Sequence, residues 1–257
     1  MPRTPVLIEA CVDSVESAVA AERGGAARVE LCDNLAEGGT TPSAGTIAEC
    51  RRRVRIPIYV MIRPRGGDFL YSDVELAVMR RDIVQAEALG ADGVVLGLLK
   101  KDGTVDAART RALVALARPM DVTFHRAIDV SRDSEAALDV LIAMGVDRVL
   151  TSGRAPTAVK GAAVIARLVR RAAGRITVLP GGGIDEKNAR QVVERTGAHE
   201  VHVRGTSPVK SGMRYRHTRV HMGDPRLDEY VRQVTDPKRI RRIARALKGR
   251  VLKGAKR

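Results

Sequence analysis

The feature that most constrains this chain is a rhythm. Eight short apolar runs rich in Val, Ile or Leu alternate with longer segments, most of helical periodicity, over residues 6–205. The runs begin near Val6, Arg28, Pro57, Gly93, Asp121, Arg148, Ile176 and Glu200. Short strands alternating with helices make βα units, because parallel neighbours need a crossover between them. Gly25, Gly90, Gly145 and Gly197 each stand just before a run, where glycine can end a helix in the left-handed conformation that a side chain disfavours. Ser14, Ser43, Ser72 and Asp185 stand where the following helices need caps. Eight such units without a linker predict an α/β fold, a closed (β/α)8 TIM barrel over residues 6–205. The expectation is one domain spanning residues 1–257, with 206–257 as a C-terminal extension. An open doubly wound sheet is the competing arrangement.

Aromatic residues are too few (four Tyr, two Phe, no Trp) to fill a barrel, so the core must be aliphatic, and a sugar- or base-stacking surface is disfavoured. No stretch approaches the length of a membrane span, and the first nine residues lack the apolar run of a signal peptide. Three cysteines, Cys11, Cys32 and Cys50, are an odd number in a long chain, which argues against a secreted disulfide framework and for a reduced, cytoplasmic protein. Of the net charge of +15, ten positive charges lie in residues 238–257. There Ile240, Ile243, Ala244, Leu247 and Val251 recur at helical spacing. The tail therefore predicts a helix docked on the barrel or on a partner subunit, in a homo-oligomer, rather than a nucleic-acid contact.

Strand period places residues two apart on one face. Glu9 with Cys11, Arg28 with Glu30 and Cys32, Met61 with Arg63, Thr123 with His125, and His202 with Arg204 are such sets. Their polar members lie towards the strand ends, where barrels build their sites. Two carboxylates, an arginine and two histidines can thus converge. Glu9 or Glu30 with His125 would suit general acid–base work; the same carboxylates could equally plug the barrel in ion pairs. Arg63-Pro64-Arg65-Gly66-Gly67-Asp68 offers two guanidinium forks to a small anion, or a loop pinned by arginine to Glu9 or Glu30 within the barrel mouth. The turn Gly181, Gly182, Gly183 follows the seventh run and is expected to open a helix, a place where barrels hold phosphates. Cys11 and Cys32 face the same way on neighbouring strands; soft thiolates suit Cu(I) or Zn, while a small buried hydrophobe is the plainer role. Cys50 falls in a helix with Ile47.

At these residues the sequence resembles the CutC copper-homeostasis family. The likeness is carried, in order, by Glu9 to Ser14, Arg28 to Cys32, Glu37 to Ser43, Met61 to Asp73, Val122 to Ala127, Val149 to Gly153 (which contains Ser152), Pro180 to Gly183 and Ser211 to Tyr215. It departs after His202, at Val203-Arg204-Gly205. The resemblance implies a barrel, a cytoplasmic location and a role in copper tolerance, with Cu(I) bound by cysteines. Two classes of function follow. One is a copper-binding homeostasis protein using Cys11 and Cys32. The other is an enzyme on a small phosphorylated or carboxylated substrate, with Glu9, Glu30 and His125 as acid–base groups and Arg63, Arg65, Ser152, Gly181, Gly182, Gly183 and His202 holding the anion. The expected partner is a copper ion or a small anionic molecule.

Overall fold

A computed structural model describes residues 5–217, 219–220, 222 and 228–248. Eight parallel strands, β1 (Leu7–Val12), β2 (Arg28–Leu31), β3 (Ile58–Met61), β4 (Gly93–Leu96), β5 (Asp121–Phe124), β6 (Arg148–Thr151), β7 (Thr177–Pro180) and β8 (Glu200–Val203), begin within a residue of the expected positions. They pair in the order β7-β6-β5-β4-β3-β2-β1-β8. β7 and β8 lie side by side across the remaining seam, without a ladder between them among the described residues. The order runs round without the reversal of a doubly wound sheet, so the fold is a nearly closed TIM barrel.

Helices α1 (Val15–Gly24), α2 (Ala44–Arg53), α3 (Asp73–Ala88), α4 (Ala107–Ala117), α5 (Ser134–Ala143), α6 (Ala162–Ala172) and α7 (Ala189–Thr196) alternate with the strands. Gly25 and Gly197 close α1 and α7 at φ 91° and 75°. Ser14, Ser43 and Ser72 cap α1, α2 and α3, the last in a reciprocal box with Glu75. The seventh turn, between β7 and α7, differs from expectation. α7 begins only at Ala189, after Asn188; Asp185 instead accepts from the N–H groups of Lys187 and Asn188 in a turn. The glycines at 181–183 therefore end a strand without opening a helix.

After β8 the chain forms a hairpin, β9 (Thr206–Lys210) with β10 (Val231–Thr235), and then helix α8 (Pro237–Leu247). Ile240, Ile243 and Leu247 are buried, and α8 packs against α1 and α7. Gly24 makes room for it, since a Cβ there would sit 2.5 Å from that of Ile240. The basic face of α8 meets Glu186, which accepts from Arg239 and Arg242 at 2.9 and 3.1 Å. Val251 lies outside the described residues.

Strand alternation divides the interior in two. Ile8, Ala10, Val29, Leu31, Val60, Val94, Val122 and Phe124 face the helices in one large apolar core. The other face lines the barrel, which bulky aliphatics usually fill. Here a small apolar group, Cys11, Cys32, Tyr59, Met61 and Val95, shares that space with charge. Arg28 bridges Glu9 and Glu200 while lying over the Tyr59 ring. Tyr59 donates to Asp121, and Arg148 donates to both, at 2.7 Å to Tyr59 and 2.8 Å to Asp121. Each charge in this inner plug thus meets an opposite charge, as burial demands.

Candidate functional site

A cavity of about 480 Å³ opens at the carboxyl ends of the strands, a size suited to small molecules. Glu30, Arg63, His125 and His202 line it, together with Cys11, Met61, Phe69, Arg126, Asp129 and Arg204. Glu9 lies directly beneath, at 2.7 Å from Nδ1 of His202.

The β1, β2 and β8 side is a cluster of titratable groups. The ligand atoms of Cys11, Glu30 and Cys32 lie within 4.8 Å of one another, as do those of Glu9, Glu30 and His202. Register explains the convergence: Cys11 pairs with Glu30 across the β1–β2 ladder, and Glu9 with His202 across β1–β8. Cys32 extends the same inward face by two residues, and its thiol approaches Glu30 Oε2 at 3.5 Å. Burial raises the Glu9 carboxyl, but the Arg28 charge and the His202 ring overcome it and hold Glu9 at about 2. A hydrogen bond from Cys32 holds the Cys11 thiol well below the thiol range, with help from His202 and against burial. Cys32 is pushed up by that same bond and by burial. Burial also lifts Glu30 well above the carboxylate range, reinforced by Cys11 and Glu9 and opposed by His202. His202 would be lowered by burial, yet Glu30, Cys11 and Glu9 hold it well above an ordinary histidine. The cluster therefore combines two sulfurs, one of them held towards its thiolate form, with carboxyl and imidazole groups that share charge with it.

The β3 and β5 side is different. Burial and the Arg63 charge hold His125 at about 3, so its ring is neutral. Its Nδ1 accepts from the Ala127 N–H at 3.2 Å, and the ring stands 4.8 Å from that of Phe69. Arg63 donates to the carbonyls of Glu37, Gly39 and Gly67 at 2.9, 2.7 and 2.9 Å. It thereby ties together the loops after β2 and β3, and its loop pinning runs through backbone carbonyls rather than through Glu9 or Glu30.

Not every residue expected to hold an anion reaches the cavity. Arg63, Gly182, Gly183 and His202 line it, whereas Arg65, Ser152 and Gly181 do not. Arg65 turns outward to Glu75 at 2.5 Å and Asp68 at 3.1 Å. Ser152 donates its N–H to Asp129 at 2.9 Å, and its hydroxyl lies 2.9 Å from the same carboxylate. Asp129 also accepts from Thr151, from Arg126 and from the Arg154 N–H, so an internal carboxylate occupies the donors after β6. Gly181 lies against Leu150 and the His202 side chain. Arg126 and Asp129 lie on a short 3-10 helix (Arg126–Val130) that follows His125; one such turn is too brief to leave a period in the sequence, and their only signal is closeness to His125. Cys50 is buried on α2 in the outer core, and burial raises its thiol to about 11.

A model of the CutC family matches residues 6–207. A human protein named copper homeostasis protein cutC homolog is 51% identical over 238 residues, covering 92% of this chain and 87% of that one. A Chromobacterium violaceum family protein CutC is 51% identical over 241 residues, covering 94% and 98%. The crystal structure of a protein described as the putative copper homeostasis protein CutC from Streptococcus agalactiae superposes with a TM-score of 0.73 at 35% identity, covering 77% of this chain and 98% of that one.

Proposed function

This chain belongs to the CutC family, and from that premise we propose that it takes up Cu(I) between Cys11 and Cys32. The observation that carries the reading is the spacing of the two sulfurs, which lie with a Glu30 oxygen inside a 4.8 Å span. Two metal–sulfur bonds of about 2.3 Å each reach across roughly 4.6 Å, so the sulfurs need little movement to share one ion. The donor chemistry agrees, because soft thiolates favour Cu(I) over hard cations. Binding must displace thiol protons; the downward hold on the Cys11 thiol favours that loss, and the proton of Cys32 leaves through the open cavity to solvent. Glu30 and His202 would complete the coordination sphere or hold the sulfurs in place. Such a site needs both thiols reduced, which supports a cytoplasmic setting. Among the described residues no helix is long and apolar enough to cross a membrane.

Titration of metal-free, reduced protein with Cu(I) against a chromophoric chelator tests the site. About one ion per chain is expected from the single thiol pair. The Cys11→Ser, Cys32→Ser double variant should lose it, and Cys50→Ser should keep it. A double variant that competes like the parent would refute the reading.

A further inference from the structure

One part of the cavity wall carries two polar atoms without a hydrogen-bond partner in the fold. Nε2 of His125 and Nε of Arg63 are buried and have no hydrogen-bond partner among the described residues. Both side chains line the cavity and both lie against the Phe69 ring, 4.8 Å from His125 and 5.3 Å from the Arg63 guanidinium carbon. Buried polar groups are almost always satisfied, so two unpartnered atoms on one wall call for an acceptor from outside the chain.

The chemistry of both atoms is determined. Because Nδ1 of His125 accepts from the Ala127 N–H, the ring proton belongs on Nε2, which makes that nitrogen a donor. The Arg63 Nε is a donor in every state. The imidazole cannot turn away freely. Phe69 covers it, and on the β4 side a Cβ at Gly97 would lie only 2.5 Å from the ring, so the bare glycine backbone forms its seat.

We propose that this wall binds a small organic carboxylate, whose oxygens accept from Nε2–H of His125 and Nε–H of Arg63. The two donors bring a single positive charge, which matches a carboxylate better than a phosphate dianion. Met61, Leu150, Ile184 and Phe69 line the same cavity and suit a short carbon skeleton. On this geometry His125 is a fixed donor to a ligand oxygen rather than a base. Its donors are distinct from the sulfur pair, and it does not depend on copper binding there.

Metal-free, reduced protein carrying 15N-labelled histidine is the material for the test. Glycolate, malonate and succinate are titrated at millimolar concentration, with succinamide, inorganic phosphate and chloride as controls at matched ionic strength. The free protein should show His125 protonated on Nε2. At least one carboxylate should move that resonance saturably and raise the melting temperature, while the controls leave both unchanged. His125→Gln, which keeps an N–H near the same place, should bind within a few-fold of the parent. His125→Phe should weaken binding at least about tenfold, the effect of losing one buried donor to a charged partner, with Cu(I) stoichiometry unchanged. A proton on Nδ1, no response to any carboxylate, an equal response to phosphate or chloride, or undiminished binding by His125→Phe would each overturn the proposal. The resonance of the parent protein decides the matter even if the phenylalanine variant does not fold. Copper binding is read in a separate titration, so either site can fail its test while the other passes.

Discussion

His202, near the end of β8, and His125, just after β5, both line the mouth of the same barrel, His125 buried and His202 partly so. Their protonation differs, His202 being held towards the cation and His125 neutral. His202 stands between Glu9 at 2.7 Å and Glu30 at 3.7 Å and is held well above an ordinary histidine despite its burial. His125 has no carboxylate partner among the described residues, feels the Arg63 charge, and is held at about 3. Burial pushes both rings the same way; only the neighbouring charge differs. The barrel mouth therefore has one side built from mobile protons and soft sulfur, and one built from fixed N–H donors. A single cavity can then hold the proposed copper site and the proposed carboxylate site without either group neutralising the other.

The sharpest way to break this contrast is to remove the cation beneath the thiol side. Arg28 bridges Glu9 and Glu200 inside the barrel, and its removal leaves two buried carboxylates facing one another. Arg28→Met should lower unfolding stability by about 3–5 kcal/mol in urea titration. A loss below about 1 kcal/mol would mean that His202 alone suffices to neutralise Glu9, and that the ion network is not what supports the cluster.

The second test reads the other histidine directly. His125 has a folded pKa of about 3, below the value of about 6.5 for an unfolded histidine. Between these limits the unfolded chain binds a proton that the folded chain does not, so stability falls as the pH drops below about 6.5. His125→Gln has no such proton to bind. Relative to that variant the parent should lose about 1.4 kcal/mol per pH unit, reaching roughly 2–3 kcal/mol near pH 4.5. His202 and the carboxylates contribute alike to both proteins and largely cancel in the difference. A difference that stays flat from pH 7 to 4.5 would show that His125 is charged in the fold and that the two sides of the mouth do not differ in this way.

Much of this contrast is legible in the sequence, and the reason is period. Strand alternation alone sets Glu9 with Cys11, Arg28 with Glu30 and Cys32, and His202 with the barrel interior. The opposite states of the two histidines are not legible, because they depend on which strands are neighbours around the barrel rather than on local sequence. The polar plug at the other end lay within reach of the same argument, since Asp121, Arg148 and Glu200 begin their strands on the inward face. Arg126 and Asp129 had no periodic signal, and Asp185 was read as a helix cap because a turn and a first helical turn share the same chemistry. Arg63 and Arg65 present the same difficulty: two arginines in one unusual loop read alike, and only packing tells them apart.

That pair gives the smallest expected effect. Arg63 is buried and points into the mouth, holding the carbonyls of Glu37, Gly39 and Gly67. Arg65, two residues on, is more than a third exposed and lies over the Tyr71 ring, clasping Glu75 and Asp68 on the outer side of the same loop. Exposed ion pairs contribute little, because water already screens the charges and ordering two long side chains opposes the gain. Arg65→Ala should thus lower the melting temperature by no more than about 2–4 °C, with most of that loss absent in high salt. Cu(I) stoichiometry and the carboxylate response of His125 should stay at parent values, since Arg65 does not line the cavity. If Arg65→Ala instead abolished the carboxylate response while the fold held, the outer half of the loop would belong to the anion wall, and the division of the mouth would have to be redrawn to include it.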